Sequence, residues 1–185
     1  MGLKGIANNI KLNMQTRKME RSSYALSGIF SKIGHILLLL PPVEEIKDNM
    51  KYLLDELKNL FPNAKYTLIS HPNDNGEHAP RAMKAAGRLS PGQSELSWSG
   101  LPQKSFIEKI KNLKADLLID MSTDKNHYNA YIAACSEVPI RVGNYGSWGN
   151  PIYNLEIKTQ YLQNEQLILQ SIIEVLKSFR AGVNN

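Results

Sequence analysis

The sequence predicts an α/β fold built on a mostly parallel sheet of five or six strands, with helices on both faces. The run Ile36–Leu40 is continuously apolar rather than alternating, as expected for a strand covered on both faces, and Asp116–Met121 indicates a second buried strand. Between such runs, apolar residues recur every three or four positions, which is typical of amphipathic helices. Alternating strands and helices form βαβ units with right-handed crossovers. We therefore predict a three-layer, Rossmann-like domain.

The predicted elements follow one another in a regular order. Apolar positions from Ile46 to Leu60 define the first helix, which ends before Pro62. The segment 71–93 is rich in turn formers and is predicted to be a long loop with one helical turn around 81–86. The other predicted elements are strands at 65–70, 95–99, 116–121, 139–143 and 152–158, and helices around 106–113, 128–135 and 168–179.

Charge divides the chain into a basic leader, residues 1–34, and a neutral body, residues 35–185. The leader holds six basic residues and one acid, whereas the body holds sixteen of each. We predict a helical leader followed by a single Rossmann-like domain. The only cysteine, Cys135, falls on an apolar helix face and is expected to be buried. No apolar run approaches the roughly 20 residues of a membrane span, so the expected location is the cytoplasm.

The leader has two interpretations. Its basic residues between Lys4 and Lys32 are interleaved with apolar ones, a pattern that fits docking on an anionic membrane surface or on RNA. Alternatively, the leader is a solvated helix or one packed on the domain. No aromatic-basic motif of a known RNA-binding domain is present, which disfavours sequence-specific RNA recognition.

The site is expected where ligands bind in open parallel sheets, beyond the carboxyl ends of the strands at the point where strand order reverses. Ser70 and His71 are expected on one side of this crevice, and Gly143, Asn144 and Tyr145 on the other. Each candidate also has a structural interpretation. Ser122 or Thr123 could cap the following helix, Asp120 could accept backbone hydrogen bonds, and His127 could be solvated or packed. The predicted ligand-binding residues are Asp120, Ser122, Thr123, Asn126, His127, Gly143 and Asn144.

Several motifs with known chemistry are missing from the sequence. It contains neither GxGxxG after the first strand nor GxxxxGK[ST], so the dinucleotide and P-loop fingerprints are absent. It lacks a GxSxG elbow, and its four histidines do not have the spacing of metal ligands. We predict no cofactor and no metal.

Two stretches resemble the bacterial heptosyltransferases, the glycosyltransferases that add heptose to lipopolysaccharide. They are ILLLLPP…LLDELKNLFPNAKYTLIS and LKADLLIDMSTDKNHYNAYIAACSEVPIRVG, so the resemblance covers roughly residues 35–145. It implies one lobe, the acceptor side, of a two-lobed (GT-B) glycosyltransferase, with a sugar or glycan as ligand. An active enzyme would need a partner protein to supply the donor-binding lobe.

The chain departs from that family after the first strand. The family carries a Gly-Asp pair there, whose aspartate serves as general base, and this sequence has Val43-Glu44-Glu45-Ile46. Glu44 and Glu45 are therefore weak catalytic candidates, and they also match the ordinary preference for acids in the first turn of a helix. The layout of leader, SWSG segment and closing helix is similar to a small uncharacterised family of single-domain bacterial proteins.

Two functions follow. The first is a heptosyltransferase-like lobe that binds a sugar or glycan without complete catalytic machinery. The alternative is a non-catalytic interaction or scaffold module, with a protein partner, whose basic leader contacts RNA or an anionic membrane surface.

Overall fold

Six parallel strands form one sheet in the computed structural model, which describes residues 2–19, 30, 32–42, 49–72, 86–146, 148–158 and 165–181. The strands are β1 (His35–Leu39), β2 (Lys65–Ile69), β3 (Gly87–Leu89), β4 (Leu117–Asp120), β5 (Ile140–Asn144) and β6 (Leu155–Ile157). Five helices flank them within these residues: α1 (Leu3–Thr16), α2 (Asn49–Leu60), α3 (Lys104–Lys111), α4 (His127–Cys135) and α5 (Glu165–Ala181).

The strand order is β3-β2-β1-β4-β5-β6, with every pairing parallel. Leu38 of β1 lies between Leu68 of β2 and Ile119 of β4, so β1 is central. The chain reverses its direction of winding between β1 and β4, and this is the strand order of the Rossmann fold. The predicted α/β class with a parallel sheet is confirmed.

Each face of the sheet is covered by its own group of helices. Ile36 and Leu38 of β1 pack in one cluster with apolar residues of α2 and α5. Leu37 and Leu39 pack in the other cluster with residues of α1, α3 and α4. Successive side chains of a strand point to opposite faces, so a strand covered on both must be apolar throughout. This arrangement explains the continuous run Ile36–Leu40.

Helix α1, the described part of the basic leader, packs on the sheet domain. Its Leu12 is buried against the α3–α4 side of the sheet. The Asn8 carboxamide donates to the Ser99 carbonyl at 3.2 Å, and the Gln15 carboxamide donates to the Ala134 carbonyl at 3.5 Å. α1 is therefore anchored over α4 by both apolar and polar contacts.

The predicted strand at residues 95–99 is wrong. A short 3-10 helix, Gln93–Glu95, stands there, and the Glu95 carboxylate accepts the Gly92 N–H at 3.0 Å. A tight turn follows, in which Gly100 has a φ of +85° and donates to the Ser97 carbonyl at 2.8 Å. Turn chemistry therefore overrides the short alternation that suggested a strand.

The sheet gains its sixth strand, β3, from within the predicted long loop. Two of the three residues of β3 are exposed, so it lacks an apolar signal. The predicted helical turn around 81–86 lies almost wholly outside the described residues.

Cys135 is buried as expected, and burial raises the pKa of its thiol to about 11. Among the described helices, none is long and apolar enough to cross a membrane.

Polar groups bind the amino ends of β1 and β4 together. The Asp116 carboxylate accepts the N–H groups of Gly34 and His35 at 2.9 and 3.0 Å. The His35 Nδ1–H donates to the Leu113 carbonyl at 3.0 Å, because a carbonyl can only accept, and Nε2 then accepts from the Thr67 hydroxyl at 2.9 Å. Both ring nitrogens are thus satisfied by a neutral imidazole.

His35 makes folding sensitive to acid. Burial lowers its pKa below 6.5, with Lys65 acting in the same direction and the Leu113 carbonyl and Asp116 opposing it. The unfolded chain therefore binds the proton first, and the His35 contribution to stability is lost as pH falls from above 6.5 toward the folded pKa.

We expect the difference in unfolding free energy between wild type and His35→Gln to shrink between about pH 7.5 and pH 5, by up to about 1.4 kcal/mol per pH unit. Urea unfolding at each pH measures this difference. Other titrating groups, including His127, act in both proteins and cancel. A difference that stays constant with pH would contradict the assignment.

Candidate functional site at the carboxyl edge of the sheet

A cavity of about 370 Å³ lies beyond the carboxyl ends of β2 and β4. Its volume falls in the usual range of small-molecule sites. The walls come from α1, the segment after β2, the turn at 96–101 and the first turn of α4. Polar side chains in the lining are Asn8, His71, Ser99, Lys125, Asn126, His127 and Tyr128.

Asn126 caps α4 at the edge of this cavity. Its side-chain oxygen accepts the N–H groups of Tyr128 and Asn129 at 3.0 and 3.1 Å. The helix begins at His127, so the expectation that Ser122 or Thr123 caps it is wrong. Asn126 takes this role because it immediately precedes the first helical residue in an extended conformation.

His127 is held on two sides as it faces the cavity. Its Nε2–H donates to the Asn9 side-chain oxygen at 2.8 Å, since a carboxamide oxygen only accepts. The Trp148 ring packs edge-on against the imidazole, with 4.7 Å between ring centroids. Burial lowers the pKa of His127, so the imidazole is neutral at pH 7, with its proton on Nε2. Nδ1 is then a hydrogen-bond acceptor.

The other cavity groups are placed by neighbouring elements. The Lys125 ammonium lies 5.5 Å from the Trp148 ring centroid, within cation–π range. The His71 ring lies 5.0 Å from the Tyr128 ring, whose hydroxyl donates to the Ser70 carbonyl at 3.1 Å. Asn8 leaves its buried side-chain oxygen without a hydrogen-bond partner within the described part of the chain.

Asp120 does not line the cavity but is buried at the end of β4. One carboxylate oxygen accepts the Ser122 N–H at 3.0 Å and the Asn129 amide at 2.9 Å. The other accepts the Tyr153 hydroxyl. Burial raises the pKa of Asp120 despite these donors. Asp120 therefore has a structural role, as the sequence analysis allowed, but it accepts two side-chain hydrogen bonds in addition to the expected backbone one.

Gly143 makes the Tyr153 contact possible. A Cβ at this position would lie 2.5 Å from Cγ of the Tyr153 ring, so only glycine leaves room for the ring against β5. Arg141 fixes the segment that carries the tyrosine, donating to the carbonyls of Val138, Pro151 and Ile152. Arg141 and Gly143, two positions of the PIRVG stretch, therefore position the Tyr153 hydroxyl within hydrogen-bond distance of Asp120.

The remaining predicted residues lie beside this network. The Ser122 hydroxyl accepts from the Asn129 amide at 2.9 Å, and the Thr123 carbonyl accepts from the Asn144 amide at 3.2 Å. Neither of these residues, nor Gly143 or Asn144, lines the cavity. Glu44 and Glu45, the catalytic candidates, lie outside the described residues.

The structure thus brings Asn126 and His127 into one cavity and groups the other five predicted residues around the buried end of β4. His71, expected on one side of the crevice, lines the cavity. The sequence analysis missed Asn8, Asn9, Lys125, Asn129, Tyr153 and Trp148. Asn129 had a usable signal, because it is one polar residue in an otherwise apolar helix. In the described ranges, no group of three or more His, Cys, Asp or Glu could hold a metal ion.

The fold and the cavity define a Rossmann-like α/β protein with a ligand-sized cavity at the carboxyl edge of its sheet. The chain belongs to the DUF6913 family, a family of unknown function, whose model matches residues 4–179. The match begins within α1 and ends within α5. Searches of curated proteins and of solved structures found no match. Membership agrees with the expected likeness to an uncharacterised family, and the heptosyltransferase resemblance stays a prediction.

Gly143→Ala is expected to destabilise the protein by about 1–3 kcal/mol, because the added methyl group displaces the Tyr153 ring. Gly34→Ala is the matched control, since its Cβ would meet no atom closer than 3.7 Å. Urea unfolding measures both, and equal losses would refute the proposed role of Gly143.

Tyr153→Phe removes a donor from a buried carboxylate and is expected to cost about 1.5–3 kcal/mol. Tyr52→Phe, at a side chain that is 42% exposed, should change the unfolding free energy by less than about 0.5 kcal/mol. Thermal and urea unfolding provide the comparison. A Tyr153→Phe protein as stable as Tyr52→Phe would show that the Asp120 contact contributes nothing.

Proposed function

We propose that this chain is a binding lobe for a sugar or glycan and that the cavity at the carboxyl edge is its site. The observation that carries the proposal is the convergence of hydrogen-bonding groups from separate elements on one cavity. The side chains of the lining include two carboxamides, two imidazoles and two hydroxyls. Such groups match the many hydroxyls of a sugar, each of which can donate and accept.

The charge of the cavity supports the same ligand class. Within its described lining Lys125 is the only charged side chain, and no carboxylate is present. A neutral or anionic ligand is therefore favoured over a cation. Sugars and sugar phosphates meet this condition, and the sequence resemblance to heptosyltransferases points to the same chemistry.

The Asn8 side chain supplies a specific anchor. Its amide donates to the Ser99 carbonyl, whereas its oxygen has no donor in the described part of the structure. A buried acceptor without a partner is unfavourable by about 1–3 kcal/mol. We propose that a small rotation of the Asn8 side chain brings this oxygen to a ligand hydroxyl, which would then satisfy it.

The proposal is for binding rather than catalysis. The heptosyltransferase resemblance implies a carboxylate as the general base, and the described lining contains no carboxylate. The Gly-Asp pair of the heptosyltransferases is replaced in the sequence. If transfer occurs, a partner must complete the site.

The test is thermal unfolding against a panel of nucleotide sugars, sugar phosphates and lipopolysaccharide core fragments. A ligand at one hundred times its Kd adds about 2.7 kcal/mol, or roughly 5–10 °C in Tm for a chain of this size. We expect at least one sugar compound to give this shift. A flat panel would remove the basis for a sugar site.

The Asn8→Ala variant tests whether the ligand binds in the cavity. We expect Kd to rise about threefold to tenfold, the value of one neutral hydrogen bond. Asn13→Ala is the matched control, because Asn13 is exposed on the same helix. Calorimetric titration compares the variants, and equal affinities would place the ligand elsewhere.

A further inference from the structure

The outward face of α1 carries an apolar stripe. Leu3, Ile6, Ile10 and Met14 are 81%, 47%, 55% and 58% exposed, although the helix is anchored through Leu12 on its other side. At about 100° per residue, the four side chains fall within an arc of about 80°. Single exposed apolar residues are ordinary, but four aligned on one helix form a surface patch.

Lysines border this stripe along one flank. Lys4 and Lys11, seven residues apart in α1, lie within about 20° of one another around the helix axis, and Lys18 follows two residues beyond the end of the helix. These three residues are the lysine row. Arg17 is exposed at the carboxyl end of α1. The helix sequence contains no acid. The outward face of α1 therefore combines apolar and cationic character.

We propose that this face docks on an anionic membrane surface, with α1 parallel to the bilayer plane. The apolar stripe would enter the headgroup boundary while the lysine row contacts lipid phosphates. The argument is independent of the sugar site, because the residues that line the cavity lie on the opposite side of α1.

Charge and chemistry select this partner over two others. A second copy of α1 would bring lysine rows together with no acid on either helix to neutralise them. RNA offers phosphates for the lysines but nothing for four aliphatic side chains, and α1 has no aromatic residue on which bases could stack. An anionic bilayer satisfies both parts of the surface.

Vesicle flotation of the full chain tests the proposal. Vesicles of phosphatidylcholine alone are compared with vesicles containing about one third phosphatidylglycerol. We expect the chain to float with the anionic vesicles only, and to bind severalfold less when salt rises from about 0.1 M to 1 M. No flotation with either vesicle would falsify the proposal.

Paired variants separate the two parts of the surface. Ile6→Ser/Ile10→Ser should abolish flotation, whereas Tyr52→Ser/Tyr145→Ser, at exposed positions elsewhere, should not. Lys4→Gln/Lys11→Gln/Lys18→Gln should weaken partitioning on the order of 100-fold. The control Lys65→Gln/Lys104→Gln/Lys158→Gln removes the same charge from other exposed sites. Equal losses in test and control variants would overturn the proposal.

Two further readouts distinguish the other partners. Size-exclusion chromatography that shows a dimer broken by Ile6→Ser/Ile10→Ser, without vesicle binding, would assign the face to a second copy. Retention of single-stranded RNA that depends on the lysine row, again without vesicle binding, would assign it to nucleic acid. Matching Tm values for all variants establish that each one is folded.

Discussion

The buried carboxylate of Asp120 is the constraint on which the carboxyl edge of the sheet depends. A desolvated carboxylate is stable only when donors surround it, and removing one donor leaves an uncompensated buried group. Its three donors come from different places: the Ser122 backbone, Asn129 of α4 and Tyr153 before β6. One side chain thereby ties β4 to α4 and to the β5–β6 connection. The position of α4 then sets the position of Asn126 and His127 in the cavity.

The PIRVG stretch acquires a physical meaning in this arrangement. Ile140 and Val142 of this stretch are buried in the core. Arg141 holds the segment that carries Tyr153, and Gly143 leaves room for the Tyr153 ring. A motif that resembles a glycosyltransferase segment is thus maintained here by packing around a carboxylate. Such a requirement acts whether or not a sugar binds, so the motif supports the fold more directly than it supports the function.

The sequence predicts the sheet well because a strand covered on both faces has no freedom to alternate. β1 and β4 meet that condition, whereas β3 is short, exposed at the edge and has no apolar signal. The site is harder to predict, because its side chains come from several elements and no single sequence pattern marks all of them. The topological rule finds Asn126 and His127, which follow a central strand. The same rule places His71, which follows β2, beside the crevice. Asn8 enters the cavity only through the packing of α1, and no local pattern in the sequence reveals that contact.

Helix α1 contributes both to the packing of the core and to the cavity. Its inner face presents Leu12 to the core, Asn8 to the cavity and Asn9 to His127. Since the Asn9 oxygen accepts a hydrogen bond from the His127 Nε2–H, Nδ1 is left as the acceptor in the neutral ring. Any force that shifts α1 therefore changes a cavity wall and the hydrogen bonding of His127 together. A contact on the outer face of α1 would act on the same helix from the other side. We therefore expect a contact on the outer face of α1 to affect the cavity only to the extent that it displaces the helix.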